Sequence, residues 1–213
     1  MKAYVITIKD NKQSLDAAWT LIRSGRAHGL TIEPYYAITP KDNPRKIAEQ
    51  RKIPIHGFEE KYSRFENCLA AFLSHHSLWQ QCAKTGEELV IFEHDAYMVS
   101  PLPEVPYSHI MNIGKPSYGK FNTPPNLGLN ELTSKNYFPG AHAYMIKPAG
   151  AEQLIERAEV DAGPTDVFIH NNRFWFLKEY YPWPVEARDS FTTIQKTEGC
   201  LAKHNYNDQY KII

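Results

Sequence analysis

Cysteine is scarce in this chain, and the scarcity is the first constraint. Only Cys68, Cys82 and Cys200 occur in 213 residues, too few for a disulfide framework, and no Cys-x-x-Cys or Cys/His spacing suggests structural zinc. Cys68 and Cys82 fall on one expected helix, where fourteen residues of rise put them roughly 21 Å apart, beyond the reach of a disulfide. No run of about 18 apolar residues is present to span a bilayer. The opening MKAYVITIKD turns charged too early for a signal peptide, so the expected location is the cytoplasm. Excess charge is also missing: 24 Lys and Arg balance 24 Asp and Glu. A chain without net charge has no global pull on nucleic acid or anionic membrane. Lys41 to Lys52, the longest basic cluster, is broken by Asp42 and Glu49 and reads as a solvated face, with phosphate or nucleic-acid contact as the lesser alternative. Internal repeats, low-complexity tracts and the P-loop, GxGxxG, GxSxG and HExxH motifs are absent as well.

What is present is an alternation of strand and helix signals that fits one α/β domain over residues 1–213. Ala3 to Ile8 is a β-rich apolar run. Gln13 to His28 carries Leu15, Ala18, Trp19, Leu21 and Ile22 at helical spacing, and Gly29 stops it. Thr31 to Ile38 is extended, with Pro34 demoting it to an edge. Residues 39–61 read as a loop with a short helix around Arg45 to Arg51. Tyr62 to Ala83 is the longest expected helix, with Phe65, Leu69, Phe72, His76, Trp79 and Ala83 on one stripe. Leu89 to Phe92 is a buried strand, the prolines of Ser100 to Val105 turn the chain away, and Tyr107 to Ile113 alternates weakly. Residues 114–139 hold glycines, prolines and four aromatics without regular pattern. A loop of that length in a compact domain is commonly functional, and its aromatics fit a flap over a bound acceptor. Ala141 to Ile146 is a strand and Ala149 to Glu159 a helix. Thr165 or Asp166 caps a further helix expected to run through Trp175, and Lys178 to Ile213 is a weakly patterned tail.

The residues able to carry chemistry cluster at a strand end. Glu93-His94-Asp95 directly follows the apolar LVIF, and ligands in open α/β sheets collect beyond the carboxyl ends of strands. Acidic side chains there suit a divalent cation, and the cation suits a diphosphate. An acidic loop after a strand is the plain alternative, since a lone D/E-x-D is a weak signal. In Ser74-His75-His76, His76 lies on the apolar stripe as a core histidine and His75 is one step off it, able to face the site. Asp166 stands at a helix start, where a capping carboxylate and a catalytic base are about equally expected. His170, one turn later, shares its face and offers a base–orienter pair. His204, in AKHNYND, is a possible third metal ligand contributed by the tail, an exposed histidine being the commoner case. Arg188 to Thr193 is a polar stretch suited to phosphate or sugar.

Four blocks in order, FLSHHSLW, LVIFEHDAYM, GAHAYMIKPAGAEQLIE and PTD, resemble the glycosyltransferase family 25 proteins, among them bacterial lipopolysaccharide and procollagen galactosyltransferases. The matching residues are Leu73, Ser74, His75, Trp79, Glu93, Asp95, Gly140, Ala143, Tyr144, Ile146, Gly150, Ala151 and Asp166, and the blocks span about half the chain. Three departures stand out: His94 replaces the middle acid, Ala70-Ala71 replace a common Gly-Cys pair, and the arginine after the first strand is missing. The resemblance implies a GT-A type fold, a mixed and mostly parallel sheet flanked by helices. It implies an inverting hexosyl transfer (galactose or glucose) from a UDP-sugar to a glycan, glycolipid or other hydroxyl acceptor, with Mn²⁺ or Mg²⁺ as cofactor. Carried onto this chain, it assigns Asp95 to the metal with His204 as a further contact. Glu93 and His75 go to the nucleotide side, Thr7 and Ile8 to the border of the uracil, and Asp166 to the catalytic base. His94 favours an alternative, a degenerate module that binds nucleotide sugar or glycan without turnover. A nucleotidyltransferase ranks third, because Lys9-Asp10-Asn11-Lys12 lacks the glycines of a phosphate loop.

Overall fold

In the computed structural model, which describes residues 1–59, 63–188, 191–196 and 211–212, the first strand sets the geometry of everything after it. Strand β1 (Lys2–Thr7) is paired in parallel on both sides, with the edge strand β2 (Glu33–Tyr36) and the buried strand β3 (Leu89–Glu93). Helix α1 (Lys12–Ala27) makes the first crossover. Its N-cap Asn11 side chain accepts the Ser14 N–H, and Gly29, at φ +78°, turns the chain after its end. Pro34 is tolerated in β2 because an edge strand leaves one row of amides unpaired. Helix α2 (Pro44–Gln50) follows, and then α3 (Phe65–Thr85), closed by Gly86 in the left-handed conformation. The expected helix start at Tyr62 lies outside the described residues.

Downstream come β4 (Ala96–Met98), β5 (Ile110–Asn112), β6 (Gly128–Glu131), β7 (Ala143–Ile146), helix α4 (Pro148–Ala158) and the single-turn α5 (Thr165–Phe168). The chain continues through β8 (Leu177–Tyr181), β9 (Val185–Ala187), β10 (Phe191–Thr192) and β11 (Lys211–Ile212). One sheet has seven strands in the order β2-β1-β3-β7-β5-β8-β6, with β4 and β9 forming a separate ribbon and β10 and β11 another. Five of the seven run in the direction of β1, while β7 and β6 run against it. This is the mixed, mostly parallel sheet flanked by helices that the sequence predicts.

Strand pleating divides the core into two layers, because successive side chains point to opposite faces. Leu89, Ile91, Tyr144 and Ile146 face α3 and α4, whereas Ala3, Val5, Val90, Phe92, Ala143 and Met145 face α1. Among the described residues no helix is long and apolar enough to cross a membrane. Cys68 and Cys82 are both buried on α3.

Three expectations need correction. The helix expected from Thr165 through Trp175 is one turn, Thr165–Phe168. The chain leaves the helix to bond the 114–139 segment: Phe138 N–H donates to Ile169 O, and Asn171 N–H to Asn136 O. The weakly patterned tail in fact supplies a strand inside the sheet, β8, between β5 and β6. Its pattern was masked by Glu179, a fully buried carboxylate at an inward position. Finally, the 114–139 loop contains the edge strand β6, antiparallel to β8.

Candidate active site

The family-like blocks, far apart in sequence, converge on one buried hydrogen-bonded chain. Trp79 Nε1 donates to the Tyr144 hydroxyl at 2.8 Å, Tyr144 lies 2.8 Å from His75 Nδ1, and His75 Nε2 lies 2.9 Å from Glu93 Oε1. Indole N–H can only donate, so the Tyr144 oxygen accepts it and its own proton goes to His75 Nδ1. The ring proton of His75 is therefore on Nε2 and donates to Glu93. Burial pushes the His75 pKa down to about 3, so the ring is neutral at pH 7 and its contact with Glu93 is a hydrogen bond, not an ion pair. Pleating explains the encounter: Glu93 shares the α3 face with Leu89 and Ile91, and on β7 Tyr144 shares it too. Tyr144→Phe removes one oxygen and orphans two groups, the Trp79 N–H and His75 Nδ1. The expected loss of stability is about 2–5 kcal/mol, read from urea denaturation, and an unchanged midpoint overturns the relay.

His94 points the other way. It lies 3.1 Å from Ser14 Oγ of α1 and stacks on Phe191 at 5.2 Å between centroids. Ser14 Oγ also accepts the Ile8 N–H and meets the Thr7 hydroxyl at 3.0 Å. The middle residue of the triplet thus ties the end of β3 to α1, a place an acid would occupy beside the same hydroxyl.

A cavity of about 70 Å³ opens at the carboxyl ends of β1 and β3 and beside the segment leaving β2. Here the chain passes from β1 to β2 on one side of the sheet while the strands after β3 lie on the other, a switch point of the kind where open α/β sheets form their binding crevice. Ile6 and Ile8 form its floor, Ala37 to Pro40 one wall, Ala70 and Ala71 another, and His75 and Glu93 its polar end. Thr193 and Ile194 close it: Asn67 Nδ2 donates to Thr193 O at 2.7 Å, and Arg64 N–H to Ile194 O at 2.7 Å. Of the two residues expected to border a base, Ile8 lines the cavity. Thr7 has its side chain turned to Ser14, since it shares the parity of Val5.

Asp95 lies in the turn after β3 and lines a neighbouring cleft with Asp16, His94, Tyr97 and Arg188. The Arg188 N–H donates to the Asp95 carbonyl, which pins that turn to the end of β9. Arg188 is the described end of the expected Arg188–Thr193 contact stretch; Asp189 and Ser190 lie outside the described residues. Among the described residues, no three His, Cys, Asp or Glu side chains are grouped to hold a metal. A lone carboxylate still fits Mg²⁺ or Mn²⁺, which take one or two protein carboxylates and complete their shell with phosphate oxygens and water. His204, the other expected ligand, lies outside the described residues.

Asp166 is held at the base of the 114–139 flap. Tyr118 donates its hydroxyl to Asp166 Oδ2 at 2.5 Å, and the Val167 N–H donates to Oδ1 at 2.9 Å. Phe168 fixes the turn by stacking on Trp79 at 5.8 Å, and the Asp166 charge is felt at His75. Burial raises the Asp166 pKa above 3.8, opposed by the Tyr118 hydroxyl and neighbouring N–H groups. The expected Asp166/His170 pair does not form. His170 stacks on Tyr137, and its Nδ1 accepts the Asn172 N–H, because the chain stops being helical before it. His76 is the core histidine expected, with Nδ1 accepting from Arg51 Nη1 at 3.2 Å. Tyr118, the partner of Asp166, went unseen in the sequence. Only the aromatic content of the flap hinted at it, since 48 residues separate the pair.

Comparison with known proteins agrees with the first two motif blocks. Residues 1–105 match the family model Glycosyltransferase family 25 (LPS biosynthesis protein). The match takes in β1 to β4, and with them the cavity floor, His75, Glu93 and Asp95; Tyr118, Tyr144 and Asp166 lie beyond it. No curated protein matches the chain. Among solved structures, the CTP:phosphocholine cytidylyltransferase of Streptococcus pneumoniae is similar at 9% identity, over 86% of this chain and 91% of that one, with a TM-score of 0.39.

Proposed function

We infer that the protein is a glycosyltransferase that moves a hexose from a UDP-sugar to a hydroxyl of a glycan or glycolipid, with inversion at the anomeric carbon. The observation that carries this reading is the cavity at the β1 switch point, inside the family-matched region, with Glu93 locked at its polar end by neutral His75. Its apolar floor suits a nucleobase, and Glu93 suits a ribose hydroxyl.

In the reaction, the acceptor O–H proton passes to the Asp166 carboxylate as its oxygen attacks the anomeric carbon. The sugar–phosphate C–O bond breaks, and its electron pair leaves with UDP. A Mn²⁺ or Mg²⁺ ion on Asp95 would neutralise the charge developing on the diphosphate. His204 is a further candidate contact for it. His75 orients Glu93 and keeps an uncharged ring beside the donor.

The test is UDP release from UDP-galactose and UDP-glucose with Mn²⁺, with and without EDTA. Turnover of one donor is expected to vanish with EDTA and to fall about 100-fold or more in Asp95→Ala, the loss of a metal's charge stabilisation. UDP binding by calorimetry runs alongside, because release can demand the true acceptor. Absence of UDP binding to the wild type overturns the nucleotide-sugar reading. Binding with no transfer to any hydroxyl acceptor moves the weight to a non-catalytic module.

A further inference from the structure

The flap carries a cation placed beside the proposed base. Lys135 Nζ sits 5.0 Å from the Tyr118 ring centroid and 5.3 Å from that of Tyr137, and donates to the Tyr137 hydroxyl at 3.4 Å. Among the described residues it forms no ion pair. The nearby acid, Asp166, is engaged by Tyr118.

This placement is built from both sides. Just before Lys135, fully buried Glu179 accepts the Thr133 and Ser134 N–H groups at 2.7 and 2.8 Å and the Thr133 hydroxyl at 3.1 Å. Just after it, Asn136 O accepts the Asn171 N–H, and the Tyr137 backbone bridges to His170. A buried carboxylate with three donors holds its partners firmly. The backbone on both sides of Lys135 is thereby held, and its half-exposed ammonium lies one tyrosine ring away from Asp166.

Aromatic faces next to a carboxylate suit a sugar ring, and a fixed cation without an anion suits an anionic substituent on that sugar. We propose that the flap face beside Asp166 is an acceptor subsite for a sugar bearing a phosphate or carboxylate. Lys135 receives the anion, the Tyr118 and Tyr137 side chains flank the sugar, and the Tyr118 hydroxyl holds the place of the reacting hydroxyl until the acceptor arrives. This rests on the reading of Asp166 as the base.

The experiment uses the full chain and three probes, glucose 6-phosphate, glucuronate and glucose, with binding followed by saturation-transfer NMR titration. Both anionic sugars are expected to bind more tightly than glucose. Their advantage should shrink about tenfold in Lys135→Gln, the worth of one charge-assisted hydrogen bond, and persist in Lys120→Gln, an exposed lysine of the same flap. Preference for glucose 6-phosphate alone assigns the anion as phosphate, and equal preference assigns it to charge. Equal binding of all three sugars, no binding of any, or an advantage that survives Lys135→Gln overturns the subsite. UDP calorimetry on the same samples separates the two readings. A Lys135-dependent preference without UDP binding keeps the anionic-sugar site and removes the nucleotide-sugar donor.

Discussion

Asp166→Asn is expected to bind UDP as the wild type does while transferring sugar about 10²–10⁴-fold more slowly, the usual worth of a positioned base. The amide oxygen can keep the Val167 N–H while the Tyr118 hydroxyl turns to accept from the amide nitrogen, so the flap stays in place while basicity is lost. The pH profile sharpens the test. Burial raises the Asp166 pKa from its ordinary 3.8. The ionised form does the work, so the acid limb of kcat/KM should lie above the usual carboxylate range and disappear in the variant. Stability runs the opposite way. A folded pKa above the unfolded one favours the protonated native state, a contribution complete below the unfolded value and lost as pH rises through the folded one. That pH dependence is absent from Asp166→Asn, so the wild type should lose stability relative to the variant as pH rises through the folded value. An active variant, or an acid limb at the ordinary position, removes Asp166 from the role of base.

The sheet and its strand-end site were legible because their signals are local. LVIFEHD announces a buried strand ending in polar residues, and helix stops such as Gly29 and Gly86 are short-range. Pleat parity also places Glu93 on the face of Leu89 and Ile91, whereas His94 lies in the turn beyond the strand. Pairings that depend on distant segments left no such trace. Tyr118 and Asp166 meet because the flap folds onto the turn after α4, and the same backbone bonds cut the expected helix to one turn. Glu179 is of the same kind, because a buried carboxylate becomes intelligible only with Thr133 and Ser134 around it. Sequence periodicity reports which side of an element is apolar; it does not report which polar groups will satisfy one another across the fold.

Adjacent buried histidines on α3 should make this protein unusually sensitive to mild acid. Burial lowers the His75 pKa to about 3, and burial together with the Arg51 guanidinium lowers that of His76 to about 4, against 6.5 in the unfolded chain. Both rings are neutral in either state above pH 6.5, so their contribution is fully present there. Below that pH the unfolded chain takes up two protons that the folded one refuses. Each proton difference costs about 1.36 kcal/mol per pH unit, and two together give a loss of about 2.7 kcal/mol per unit between the unfolded value and about pH 4, with His75 alone continuing below. Neither ring escapes easily. Protonating His75 Nδ1 breaks its bond from Tyr144, and protonating His76 Nδ1 sets two cations face to face with Arg51. Urea denaturation at pH 6.5, 5.5 and 4.5 reads the slope directly. His76→Gln, which keeps a side-chain oxygen for Arg51, should halve it. A slope near zero over that interval would mean that the rings take up protons in the folded state, and the Tyr144–His75 hydrogen bond would then have to run from a protonated Nδ1 to the Tyr144 oxygen.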